Sequence, residues 1–168
     1  SISDATGTLT ITDDDAAPSL SINDVTTGDE SAANATFTVS LSAASAKTVT
    51  VAYATSDGTA ASADYTSSSG TLTFSPGDTT KSFTVRVLAD SLDEANETVI
   101  LTLSSATNAS ISDATGVLTI TDDDATPSLS IADAATADES TATVVTVTLS
   151  AASGRDVSVV YASANGSA

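Results

Sequence analysis

The side chains in this sequence that can do chemistry are almost all carboxylates, and they come in blocks. Asp13, Asp14 and Asp15 close one copy of the frame ISDATG-x-LTITDDDA, and Asp122, Asp123 and Asp124 close a second copy 109 residues later. Two carboxylates held roughly 4 Å apart repel by about 4 kcal/mol at an effective dielectric near 20. A triad that recurs at a fixed period is therefore a place to expect a neutralising cation. From Ala17 to Ala125 there are 14 acidic and 3 basic side chains, and the acids are grouped. Asp29 and Glu30 form one group, and Asp64 stands in the loop Ser62–Tyr65. Asp90, Asp93, Glu94 and Glu97 fill a third stretch, and Asp122–Asp124 end the unit. Setting aside Glu30, Asp64, Asp90, Glu94, Glu97, Asp122, Asp123 and Asp124 leaves a net charge of −3, an ordinary surface. Calcium takes six to eight hard oxygen ligands in a flexible cage, which such loops supply; magnesium demands a tighter octahedron and fits less well. Neighbouring side chains on an extended strand point to opposite faces, so Asp122, Asp123 and Asp124 cannot all grip one ion. They serve a cluster of ions or the junction to the next unit. Isolated acids such as Asp57, Asp78 and Asp113 read as turn residues.

Other chemistries are excluded by composition. There is no Cys and no His, which removes disulfides, thiolate sites, most zinc chemistry and any Ser-His-Asp or Cys-His nucleophile. No glycine-rich phosphate loop is present, and no aromatic platform accompanies the paired acids. The sequence is expected not to be an enzyme. A net charge of −18 would repel a phosphate backbone, so nucleic acid is not an expected partner. No apolar run approaches the ~20 residues that span a bilayer, so no membrane insertion is expected in this segment.

The elements that position the acids follow from the repeat. Pro18–Ile22 returns as Pro127–Ile131, and Leu41–Ser45 returns as Leu149–Ser153. The expected organisation is the C-terminal strand of one repeat (1–16), a complete repeat (17–125) and the N-terminal part of a third (126–168), a window cut from a longer polypeptide. Neither a signal peptide nor a natural N-terminus is expected in it. Seven segments alternate apolar residues with Thr or Ser: Ser19–Val25, Ala35–Leu41, Thr48–Ala54, Gly70–Phe74, Lys81–Leu88, Glu97–Leu103 and Gly116–Thr121. Leu20, Ile22, Phe37, Val39, Leu41, Val49, Val51, Tyr53, Leu72, Phe74, Phe83, Val85, Val87, Val99, Leu101, Leu103, Leu118 and Ile120 are the expected inward set. Asp57-Gly58 and Pro76-Gly77-Asp78 supply turns. The expected fold is all-β: a tandem immunoglobulin-like antiparallel β-sandwich with about seven strands per repeat. In such a sandwich the A–B and E–F loops and the end of the last strand share one pole, where the distant acids would converge.

Tyr53–Ala60 (YATSDGTA), Ala63–Tyr65, Gly70–Asp78 (GTLTFSPGD), Asp90–Glu97 (DSLDEANE) and Ile120–Asp124 resemble, in order and spacing, the Calx-beta domain found in sodium–calcium exchangers and in large bacterial surface proteins. The resemblance implies several Ca²⁺ ions at one end of the sandwich, held by Glu30, Asp64, Asp90, Glu94, Glu97, Asp122, Asp123 and Asp124. Glu139 would be the third repeat's counterpart of Glu30, and Asp13, Asp14 and Asp15 the first repeat's closing triad. Exchanger domains carry an acid where this sequence has Ala89, so that position supplies no ligand. The function expected on these grounds is a calcium-rigidified stalk of a large extracellular adhesin or filament on a bacterial surface. Its partners would be calcium ions and neighbouring repeats, with Asp24 and Asp133 as candidates to bridge the interface. Two other classes remain: a regulatory calcium sensor, and a carbohydrate- or ice-binding module using a flat Thr-rich face. Of the sequons at Asn34, Asn96, Asn108 and Asn165, most are expected by chance in so Ser/Thr-rich a sequence.

Overall fold

The computed structural model of the chain describes residues 1, 3–12, 14–31, 34–138 and 140–164. Among these the regular structure is all strand. One sheet contains β1 (Ser19–Ile22), β3 (Ala35–Leu41), β5 (Tyr65–Thr66), β7 (Thr80–Val87) and β9 (Ser110–Ile111), in the order β5-β7-β3-β1-β9. The other contains β2 (Val25–Thr26), β4 (Val49–Asp57), β6 (Ser69–Phe74), β8 (Glu97–Thr107) and β10 (Thr115–Ile120), in the order β2-β10-β8-β4-β6. Their apolar faces meet in a β-sandwich. Leu20, Phe37, Val39, Val49, Val51, Phe74, Val85, Val99, Leu101 and Leu118 are fully buried between them. At roughly 1.5–3 kcal/mol for each large side chain removed from water, this core is what holds the loops in place.

All seven expected strands are present, with differences that have local causes. The first is divided: β1 pairs with β3, while β2 crosses to the other sheet and pairs parallel with β10. Asn23 and Asp24 make the crossing. Asn23 Oδ1 accepts the Thr38 N–H at 2.6 Å and Asp24 Oδ1 accepts the Val117 N–H at 2.8 Å, so each side chain satisfies one sheet as the backbone changes sides. Asp24 is thus tied within the sandwich. Two short strands, β5 and β9, are added, and β9 pairs parallel with β1. Tyr53 and Leu72 are half-buried at the margin of the core, where the Tyr53 ring stacks on Phe83 with centroids 3.9 Å apart. Ala35, Ala60 and Tyr65 complete the buried set.

Beyond the sandwich, β11 (Leu129–Ile131) and β12 (Val147–Leu149) pair antiparallel. Leu129 opposes Leu149 as Leu20 opposes Leu41.

Candidate metal centre

Four loops and strand ends bring the acids together. The turn after β4 is fixed first. The Gly58 and Ala60 N–H groups both donate to Thr98 O, at 3.1 and 3.0 Å, and a Cβ on residue 58 would collide with that same oxygen. Only glycine lets this turn lie flat against β8. The loop that follows is tightened when Asp64 Oδ2 accepts the Ala61 N–H at 2.6 Å, and the Leu88 N–H donates to Asp64 O at 2.8 Å. Asp64 is thereby carried to the start of β8, where Glu97 sits. The β7–β8 loop contributes Glu94, so Asp64, Glu94 and Glu97 offer three carboxylate oxygens within 4.8 Å of one another.

A second triad forms beside it. Past the end of β10 at Ile120, Asp122 and Asp124 come to the same site. Asp122 and Asp124 join Glu30, again with carboxylate oxygens within 4.8 Å. Asp123 Oδ1 accepts the Glu30 N–H at 3.3 Å, which anchors the loop that carries the buried glutamate. The Asp122 N–H is held in turn by Asn96 Oδ1 at 3.3 Å. Glu30 is only 7% exposed. Burial, then the charges of Asp90, Asp122, Asp124 and Glu94, push its carboxyl up to about 7. Glu97 is pushed to about 7 as well, by burial first and then by its hydrogen bond with Asp64 and the charges around it. Glu94 and Asp124 are also raised, by burial and the neighbouring acids.

The predicted site residues thus divide. Glu30, Asp122 and Asp124 make one triad; Asp64, Glu94 and Glu97 make the other. Asp90 stands close enough for its charge to raise both Glu30 and Glu94, while its Oδ1 accepts the Leu92 N–H at 2.7 Å. Asp123 supports Glu30 from outside the triad. Asp14 and Asp15 are exposed, far along the chain from either triad. Asp13 and Glu139 lie outside the described residues. Asp93, not singled out as a ligand from the sequence, is the other buried acid.

These donors fit a hard divalent cation. Every ligand atom is a carboxylate oxygen, and Asp122 Oδ1 is buried without a hydrogen-bond partner. Carboxylates crowded to this degree, one of them buried and the rest half-buried, are relieved either by taking up protons or by sharing a positive charge. The sequence pattern of the Calx-beta domain matches residues 13–124 and again 121–168. The chain belongs to the Calx-beta domain family. Calx-beta domains bind Ca²⁺, and the two triads are donor sets of the kind that ion takes.

Solved structures agree on the Calx-beta fold. The chain is similar to the apo form of the Calx CBD1 domain, with 22% identity and a TM-score of 0.59, covering 64% of this chain and 98% of that one. It is similar to CBD12 from CALX1.2 at 23% identity and TM-score 0.59, covering 62% of this chain and 45% of that one. It is also similar to the calcium binding domain CBD12 of CALX1.1, at 22% identity and TM-score 0.59, covering 68% and 50%. The chain spans about half the length of the two CBD12 structures. No curated protein sequence matches it at a significant level.

Proposed function

We propose that this chain is a calcium-binding structural unit of a repeated extracellular stalk, part of a large bacterial adhesin or surface filament. Calcium would be held by Glu30, Asp122 and Asp124 and by Asp64, Glu94 and Glu97, with Asp90 completing the charge around them. The observation that carries the reading is the packing of two carboxylate triads at one end of a sandwich, with Glu30 buried among four other acids. The bound ion would supply positive charge that removes their repulsion and fixes the loops next to the following segment. Pro127, shortly after Asp124, shortens the free connection further. The order of units along the chain is read as the end of one repeat (1–16), a whole repeat (17–125) and the beginning of a third (126–168). The second Calx-beta match, which begins within the first, supports units that follow with almost no spacer.

Thermal unfolding of the 168-residue chain in calcium and in chelator tests the site. An ion that binds only the native state at a hundredfold excess over Kd adds about 2.7 kcal/mol. At ~4–8 °C per kcal/mol for a domain of this size, the midpoint should rise by ten degrees or more. Magnesium at the same concentration should give a smaller rise. An unchanged midpoint rejects the site. An antibody against the chain should label intact source cells; labelling only after permeabilisation rejects the extracellular stalk.

A further inference from the structure

Asp93 is buried and belongs to neither triad. What surrounds it comes from the following segment. Asp93 and Ser153 form a parallel β-bridge, and the Gly154 N–H donates to Asp93 O at 3.1 Å. Ser153 Oγ reaches Asp93 O at 3.3 Å and Oδ2 at 3.4 Å, and Thr126 Oγ1 donates to Oδ1 at 3.3 Å. Arg155 lies over the same edge, its Nε 3.9 Å from Asp93 Oδ1 and its Nη2 4.0 Å from Asp122 Oδ2, and it also donates to Glu94 O. Gly154 lies close against the Glu94 side chain, which would have to shift to admit a Cβ there.

The geometry points to a latch between neighbouring repeats, in which the Ser153–Arg155 loop docks on Asp93 without any metal ion. The acid that the triads leave over is thus assigned to the neighbouring repeat. This goes beyond the calcium reading, since the latch is made of protein groups alone.

The turn that carries Arg155 recurs upstream. Lys47 precedes Arg155 by 108 residues, in the same frame Leu-Ser-Ala-Ala-Ser-x-basic. The Lys47 N–H donates to Ser45 Oγ at 3.0 Å, and the Arg155 N–H to Ser153 Oγ at 3.1 Å, so one turn presents both cations. Ser42 N–H donates to Ser19 O as Ser150 N–H does to Ser128 O, both at 2.9 Å. Lys47 lines a cavity of about 250 Å³ together with Asp15, Pro18 and Asn108. Of only four basic residues in the chain, two therefore stand at the place where a repeat meets the acids of the one before it. A side chain fixed at that place by a shared turn acts as a tethered counter-ion.

The chain has no cysteine, so T84C and S130C would place one spin label on β7 and one on β11, both at exposed sites. In excess chelator the distance distribution between the labels should be narrow and single. Asp93→Asn and Arg155→Gln should each widen it at least twofold, whereas Lys81→Gln, which removes a charge away from the joint, should leave it unchanged. In the unlabelled chain under the same conditions the Gly154 amide should exchange at least tenfold more slowly than in an unfolded peptide. Arg155→Gln and the amide measurement keep the test decisive should Asp93→Asn fold poorly. A broad distribution for the labelled parent in chelator, an unprotected Gly154 amide, or a width unmoved by Arg155→Gln overturns the latch. A flat calcium titration alongside a narrow chelated distribution would sink the calcium site and leave the latch standing.

Discussion

The two carboxylate triads are built from the same chemistry and stand at the same end of the sandwich, yet they differ in what lies next to them. Asp64, Glu94 and Glu97 are drawn from the loop after β4, the β7–β8 loop and the first residue of β8. Glu30, Asp122 and Asp124 face the following segment: Asp122 Oδ2 lies 4.0 Å from Arg155, and Asp123 and Asn96 hold their backbone. The first set meets the following segment at Glu94, whose carbonyl accepts from Arg155 and whose side chain lies against Gly154; the second meets it through the Asp122 carboxylate itself. A cation at the first triad would lock the loops that carry Asp64, Glu94 and Glu97, whereas a cation at the second would also compete with Arg155 for the Asp122 carboxylate.

The largest effect should come from the frame that both triads share. Phe37 is fully buried and its ring lies 5.6 Å from that of Phe83. Phe37→Ala should cost about 3–5 kcal/mol. Because both triads hang on the same core, calcium affinity measured by calorimetry should fall at both together. Loss at one triad alone would show that the loops hold their shape independently of the sandwich.

Substitution within the triads should separate them. Glu30→Gln and Glu97→Gln each remove a ligand charge while keeping the shape. Each should weaken calcium binding tenfold or more at its own triad, and the pair together should abolish most of the thermal shift. In chelator at pH 8 the same changes should raise the midpoint, since each removes a partly or fully buried charge repelled by its neighbours. A Glu30→Gln variant with unchanged calcium affinity would take that residue out of the site.

Acidity tests the two glutamates together. Both carboxyls rise from 4.5 to about 7 on folding, so between those values the folded chain holds more protons than the unfolded one. The stability these groups contribute in chelator is therefore fully present below about pH 4.5, declines above it, and is lost as the pH rises through 7. The midpoint in chelator should fall between pH 5.5 and 8, by ~4–8 °C for each kcal/mol involved. Saturating calcium should flatten or reverse this slope, because the ion competes with the protons for the same oxygens. A midpoint in chelator that climbs over this range would contradict the crowding of the triads.

Much of this was legible in the sequence, and the limits have physical causes. Alternation of apolar with Ser or Thr gave every long strand, because a half-buried strand imposes a period of two. It did not divide β1 from β2, since Leu20, Ile22 and Val25 are all apolar and the crossing depends on which backbone N–H groups Asn23 and Asp24 satisfy. The two triads were visible only as one pool of acids. Spacing along a loop does not say that Glu94 turns to Asp64 and Glu97 while Asp93 turns away to meet Ser153. One signal was available for that contact: Lys47 and Arg155 occupy the same place in the two copies of the frame Leu-Ser-Ala-Ala-Ser-x-basic, in a chain otherwise poor in cations. Equivalent pairing likewise followed local sequence, as β11–β12 repeats the register of β1–β3, but burial did not. Leu20 is fully buried and Leu129 is 41% exposed, because burial depends on the strands packed opposite.

The finest probe of the difference between the triads is the cation beside one of them. Arg155 is half-exposed and sits 4.0 Å from Asp122, at a distance where an ion pair is worth ~0.5–1 kcal/mol. Its charge opposes a second cation on the same carboxylate. Arg155→Gln should therefore tighten calcium at the Glu30 triad by about two- to fivefold, the equivalent of that energy, and leave the Glu97 triad unchanged. The joint would loosen at the same time, so affinity and rigidity would move in opposite directions. That opposition is what a carboxylate shared between a cation and Arg155 requires, and equal changes at both triads would mean that Arg155 does not act through Asp122.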